Sequence, residues 1–180
     1  MRATFGVQVL VAVVILTLVT YVGWIVLDNV FYRQQAQPIA FPHDLHAGQR
    51  QIACQYCHRG VNHADIAGVP SVQECMDCHQ AIPKLLKESV EVQKLKGYWD
   101  RKEPIKWFKV YQLPEHVRFS HQAHIARGFD CAYCHGQVQE MKVLKFPWTS
   151  AWWHSPGTMG WCLQCHRDNK GPQDCSACHK

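Results

Sequence analysis

The sequence predicts a mainly α-helical and irregular protein, with one N-terminal membrane-spanning helix followed by a domain of low regular secondary structure. Two observations support this prediction. Residues 5–27 contain no charged side chain. The rest of the chain holds all 10 cysteines, and every one of them belongs to a closely spaced pair. Such pairs typically hold a cofactor or a metal, so we expect short helices and loops arranged around bound groups.

The apolar segment 5–27 is long enough to cross a membrane. As an α-helix it would be about 35 Å long, against a hydrocarbon core of about 30 Å. Tyr21, Trp24 and Tyr32 lie towards its far end, where an interfacial aromatic belt is expected. A cleaved signal peptide is the alternative, but no A-x-A cleavage site follows. We therefore expect an uncleaved anchor over residues 1–30.

The cysteine pairs share one pattern, C-x-x-C-H, which occurs five times. Two thiols at this spacing can bond covalently to a porphyrin edge, and the next residue, histidine, then reaches the iron from one side. Structural zinc would need the cysteine pairs but not a histidine after each of them. We therefore predict five haem c groups and number the sites motifs 1 to 5 in chain order. The attachment residues are Cys54/Cys57, Cys75/Cys78, Cys131/Cys134, Cys162/Cys165 and Cys175/Cys178, and the proximal ligands are His58, His79, His135, His166 and His179.

The bound haems change how the composition is interpreted. The formal net charge is +5, but each haem adds two propionates, so the charge does not indicate a nucleic-acid partner, and we expect none. Roughly 30 residues remain for each haem, too few for an ordinary hydrophobic core. The predicted domain is therefore a multihaem cytochrome c domain in which the haems form the core.

An internal repeat divides this domain. FPHDLH at 41–46 recurs as FSHQAH at 119–124, and each copy precedes two C-x-x-C-H motifs. Motif 5 closes the chain after the second pair. The repeat predicts a first dihaem module at 31–80 and a second module with three haems at 114–180.

The segment between the modules, 81–113, has a different character. Pro83 lies near the expected start of a helix and Gly97 near its end. The segment is rich in lysine, which is compatible either with a solvated helix face or with docking to a partner subunit.

Five six-coordinate irons would need five further ligands. The repeated F-x-H-x-x-H places two histidines three residues apart, so on a helical turn they lie close together and can serve two neighbouring irons. One more histidine directly precedes the second repeat. A methionine three residues before Cys162 is an alternative that would raise the potential of that haem. The predicted distal ligands are His43, His46, His116, His121 and His124, with Met159 as the alternative and His63, His154 and Met141 as weaker candidates.

With these residues placed, the chain resembles the pentahaem cytochrome c subunit of alternative complex III, a bacterial quinol-oxidising complex. The resemblance rests on F-x-H-x-x-H-A-G and AGVPSVQECMDCH, followed in order by LPEHVRFSHQAH, CHGQVQEM and TMGWCLQCHRD. The modules also resemble class III cytochromes of the c3 and c7 type. In that class the first histidine of the pair binds its own module's haem and the second binds a neighbour's. The resemblance thus implies His43 for motif 1 and His121 for motif 3.

The resemblance also implies a function. The chain would be an electron-transfer subunit, not itself an enzyme, that passes electrons from a quinol-oxidising respiratory or photosynthetic complex to a periplasmic acceptor. The implied partners are an iron–sulfur/molybdopterin-like subunit, polysulfide-reductase-like membrane subunits and a monohaem cytochrome c. Because c-type haems are attached outside the cytoplasm, we expect a single-pass protein of the inner (cytoplasmic) membrane with its haem domain on the periplasmic face.

Two other functions share part of this pattern. A stand-alone membrane-bound multihaem quinol dehydrogenase that feeds a periplasmic reductase would have the same anchor. Its usual first motif places methionine two residues after the motif histidine, where this chain has Gly60. A catalytic multihaem reductase needs an open iron position, and the abundance of histidines argues against one.

Overall fold

The computed structural model describes residues 2–31, 36–144 and 155–180, with side chains of the first helix described over 6–26. The chain forms two compact units, Met1–Gln35 and Ala36–Lys180. Across the described ranges there are helices, turns and irregular segments but no β-strand, which confirms the predicted fold class. Tyr32 and His154 lie outside the described residues.

The first unit contains one long helix, α1 (Arg2–Phe31). Its stretch Gly6–Val26 is long and apolar enough to cross a membrane, by length and composition alone. The hydroxyl of Thr20 donates to the carbonyl oxygen of Leu16 at 3.0 Å, so this polar group is satisfied within the helix, as an apolar environment requires.

The second unit is built from short helices, and each of the five motifs lies in one of them. One helical turn separates the two cysteines of a motif, so both thiols lie on the same side of the helix. The helices are α2 (Cys54–Cys57), α3 (Val72–His79), α4 (Pro83–Glu88), α5 (Val90–Arg101), α6 (His121–Ala126), α7 (Cys131–His135), α8 (Met159–Asp168) and α9 (Cys175–Cys178), with a π-helical turn at Asp44–Gln49 and 3₁₀ turns at Arg59–Asn62 and Val138–Glu140.

Polar residues define where several motif helices begin. Ser71 and Glu74 form a reciprocal capping box at the start of α3. Asp130 accepts a hydrogen bond from the backbone N–H of Ala132 at the start of α7, and Asp174 accepts one from Ala177 at the start of α9. These caps satisfy N–H groups that a short helix leaves free, so they position the motif cysteines.

The segment between the modules forms two helices, α4 and α5, where the sequence predicted one. The start at Pro83 is confirmed. The Ser89 hydroxyl accepts from the N–H of Val92 and begins a new helix there. Gly97 lies inside α5 rather than at its end, because the helix continues until Lys102 adopts a left-handed conformation with φ 56°.

Apolar burial in the second unit is limited to a small cluster. Ile39, Met76 and Leu95 are buried together, and Trp99 and Trp107 pack against them. Met76, the residue inside motif 2, is therefore a packing residue that joins α3 to α5. A cluster of this size leaves most motif helices without a protein core behind them, as the predicted haem core requires.

The two histidine repeats exchange equivalent backbone hydrogen bonds. The N–H of Asp44 donates to the carbonyl oxygen of Met141 at 3.1 Å, and the N–H of Gln122 donates to that of Ala64 at 3.2 Å. Asp44 and Gln122 occupy the same position in F-x-H-x-x-H. Each repeat thus packs against the segment that follows the other repeat's first motif.

Candidate haem-binding site

The predicted distal histidines lie opposite the histidines of the motifs. The ring centroids of His46 and His79 are 6.1 Å apart. A metal between two imidazoles, with each metal–nitrogen bond about 2 Å long, would separate the ring centroids by about 6 Å. Three further pairs show similar spacing. They are His121–His135 at 6.3 Å, His124–His166 at 6.0 Å and His116–His179 at 5.5 Å.

The fifth pair is His43 and His58. These two side chains interact electrostatically. Burial first, and then the neighbouring His58 and His46, lower the pKa of His43 to about 4. Burial also lowers the pKa of His79 and of His135. A lowered pKa keeps these imidazoles neutral, which is the form that binds a metal.

Backbone carbonyls orient several of the rings. His46 Nδ1 lies 2.9 Å from the carbonyl oxygen of Pro42, and its counterpart in the second repeat, His124, lies 2.7 Å from that of Ser120. Because a carbonyl oxygen can only accept, Nδ1 carries the proton and the lone pair of Nε2 is free for a metal. The same pattern holds elsewhere. It occurs for His58 with Gly68 at 2.7 Å, His121 with Asp65 at 2.8 Å and His166 with Pro172 at 2.5 Å.

Two rings lack such a partner. Within the described part of the chain, the Nδ1 atoms of His43 and His79 are buried and make no hydrogen bond. Their rings are therefore held by packing and by whatever binds Nε2.

Phenylalanine explains the first letter of F-x-H-x-x-H. Phe41 stacks on His46 at 4.3 Å and meets His43 edge-on at 4.8 Å. Phe119 repeats both contacts, with His124 at 4.6 Å and His121 at 4.9 Å. We did not predict this role from the sequence, although the repetition of phenylalanine was visible there. One aromatic ring thus sets the relative orientation of two histidines.

The cysteines are free and suited to thioether bonds. All ten lie in the described residues, and none forms a disulfide. Among the residues that the structure describes, no group of three or more His, Cys, Asp and Glu side chains is arranged to hold a metal ion. A structural zinc site needs such a group, whereas a c-type haem needs paired thiols and a histidine on each face of the iron. The donors therefore fit haem c better than zinc.

The weaker ligand candidates lie in other surroundings. Met159 is the first residue of α8, and its side chain is 61% exposed. His124, rather than Met159, faces His166 of the same motif. His63 is exposed. The backbone carbonyl of Met141 joins the repeats.

Comparisons with known proteins agree with this geometry. Residues 117–180 match the family described as cytochrome c7 and related cytochrome c, and residues 26–106 match the class III cytochrome C family. The multihaem cytochrome c subunit of menaquinone reductase from Nitratidesulfovibrio vulgaris (strain Hildenborough) is 32% identical over 113 residues, which are 63% of this chain and 52% of that protein. The chain thus spans about half the length of this curated relative.

Proposed function

We propose that this multihaem cytochrome c binds five haem c groups and is the membrane-anchored electron-transfer subunit of a quinol-oxidising complex of the alternative complex III type. The observation that supports this most directly is the set of five histidine pairs, one for each motif. A haem iron with a histidine on each face accepts and releases one electron and has no open position for a substrate.

We assign the iron ligands from the observed pairs. In each pair one histidine belongs to a motif, and the other comes from a different segment of the chain. The assignment is His43 with His58, His46 with His79, His121 with His135, His124 with His166, and His116 with His179. The ring spacing and the bonded Nδ1 atoms support it, and the position of His124 favours it over Met159 for motif 4.

The link to quinol is supported by the comparison. The relative's own name describes a multihaem subunit of a menaquinone reductase. The corresponding role here is to exchange electrons with a quinol-oxidising assembly, whose quinol site lies in a partner. The sequence resemblance supports an iron–sulfur/molybdopterin-like subunit, polysulfide-reductase-like membrane subunits and a monohaem cytochrome c as those partners.

The anchor supports the location. α1 has the length and composition of a single membrane span, and c-type haems are attached on the outer side of the cytoplasmic membrane. The second unit therefore faces the periplasm, where a soluble acceptor can reach it.

The proposal is tested on the full chain expressed in a host that matures c-type cytochromes and purified gently in detergent. We expect five haems per polypeptide, only low-spin ferric EPR signals, and co-purifying membrane and iron–sulfur subunits. The double variant Cys162→Ala/Cys165→Ala should contain four haems. Fewer than five haems in the unaltered chain, or high-spin haems that bind CO, would contradict the proposal. Quinol oxidation by the isolated chain alone would instead support a stand-alone quinol dehydrogenase.

A further inference from the structure

We propose that the five motifs lie in the spatial order 2–1–3–4–5, with motifs 1 and 3 related by a two-fold pseudosymmetry, so that motifs 2 and 5 are the two ends of the electron path. The inference rests on the proposed binding of five haems. The haem attached first along the chain would then be internal to the path.

The centre of the path is the crossing of the two repeats. The hydrogen bonds Asp44–Met141 and Gln122–Ala64 are equivalent, since each acceptor lies six residues after the histidine of motif 3 or motif 1. Two unlike segments that exchange equivalent contacts are related by a two-fold operation, as in an isologous interface. The two repeats are therefore arranged about a local pseudo-two-fold axis.

Equivalent residues of motifs 1 and 3 meet near this axis. The side chains of Cys54 and Cys131, the first cysteines of the two motifs, interact directly. The motif histidines, His58 and His135, also interact electrostatically. A residue can lie beside its own counterpart only near the axis, so motifs 1 and 3 are neighbours at the centre.

Each repeat connects its central motif to one outer motif. On the first side, His43 and His46 are separated by one turn and face motifs 1 and 2, and Cys57 interacts with Cys75 and Cys78. The second side repeats this arrangement for motifs 3 and 4. There, His121 and His124 face the two motifs, and Cys134 interacts with Cys162 and Cys165.

Motif 5 extends the second side only. Cys162 of motif 4 interacts with Cys178 of motif 5. The C-terminal segment is held by the residues just before the second repeat, with the N–H of Arg118 donating to the carbonyl oxygen of Cys178 at 2.7 Å and the N–H of Lys180 donating to that of His116 at 3.1 Å.

The two ends have different surroundings. Motif 2 is backed by the cluster of Met76 and Leu95 and by helices α4 and α5. Motif 5 lies in a four-residue helix whose first cysteine, Cys175, is exposed. Each step along the path transfers one electron between neighbouring irons, oxidising one and reducing the other, and forms no bond. The ends are therefore where partners donate or accept that electron.

The order is tested by locating the irons in the haem-loaded full-length protein within its complex, by cryo-EM or by anomalous diffraction at the iron edge. We expect the iron at His58 to lie between those at His79 and His135. The irons at His79 and His179 should each have a single nearest neighbour. Five irons in any other order would overturn this inference but not the proposed function, whereas fewer than five would contradict the proposed function.

Two matched variants test the order in solution. Cys175→Ala/Cys178→Ala removes an end site, and Cys131→Ala/Cys134→Ala removes a central one. Neighbouring haems influence each other's potentials, so in NMR-monitored redox titrations the first variant should shift the motif 4 haem and leave those of motifs 1 and 2 unchanged. The second should shift the haems of motifs 1 and 4. A shift at motif 2 on loss of motif 5 would overturn the order, and the iron positions decide the matter if the central variant does not assemble.

Discussion

The hydroxyl of Tyr111 donates a hydrogen bond to the backbone carbonyl oxygen of His135 at 2.9 Å, while its ring meets the His135 imidazole edge-on at 4.4 Å. Tyr111 lies between the two repeats, and no motif marks it in the sequence. Its two contacts fix both the backbone and the ring of the motif 3 histidine. The His135 ring lies within 6° of parallel to that of His121, so we infer that Tyr111 maintains this parallel arrangement.

Replacing Tyr111 should change the haem of motif 3 alone. The angle between two axial imidazole planes sets the low-field EPR signal of a low-spin ferric haem. Tyr111→Ala removes the ring and should shift one of the five signals. Tyr111→Phe keeps the ring, so it should retain the signal while lowering the free energy of unfolding by about 1 kcal/mol through the lost hydrogen bond. Tyr56→Phe, at an exposed tyrosine of motif 1, is the control, and unchanged EPR spectra of Tyr111→Ala would contradict the role of the ring.

Alkaline pH should weaken the same contact. Burial raises the pKa of Tyr111 to about 12 from a model value of 10.0. A raised pKa means that folding favours the neutral phenol, so its contribution to stability is complete below pH 10 and is lost as the pH rises towards 12. Unfolding by guanidinium at a series of pH values should show a steeper loss for the unaltered protein than for Tyr111→Phe. Identical slopes for the two proteins would show that this phenol does not titrate as its burial implies.

The sequence predicted the attachment residues completely, because C-x-x-C-H is a local requirement of haem chemistry. It also indicated the set of distal histidines, because F-x-H-x-x-H repeats. It could not indicate which motif His46 faces, since His79 reaches it only through the packing of α3. The role of Phe41 needed the same three-dimensional information.

The limits of local patterns are clearest in the segment between the modules. Gly97 suggested a helix end, but the packing of Leu95 and Trp99 against the small cluster keeps α5 helical past this glycine. Here tertiary packing outweighs the low helix propensity of glycine.

Removing His46 should affect the haem of motif 2 and leave that of motif 1 low-spin, because His46 faces His79. His46→Ala should therefore produce one high-spin haem by EPR. That signal should disappear when motif 2 is also removed by Cys75→Ala/Cys78→Ala and persist when motif 1 is removed by Cys54→Ala/Cys57→Ala. His63→Ala, at an exposed histidine, should leave all haems low-spin. The opposite dependence on motifs 1 and 2 would exchange the ligands that we assign to His43 and His46.

Adding a single methyl group at Gly48 should loosen the crossing of the repeats. A Cβ at this position would collide with the backbone carbonyl oxygen of Gln139, in the turn that follows motif 3. Because the obstacle is backbone, the repeats must move apart, and overpacking of this kind costs about 1–3 kcal/mol. The equivalent position of the second repeat is already alanine, Ala126, so Ala126→Gly is the matched control and should cost no more than about 1 kcal/mol. We expect Gly48→Ala to unfold at lower denaturant concentration and to shift the potentials of the haems of motifs 1 and 3. Equal stability of the two variants would show that the contact at Gly48 does not hold the crossing together.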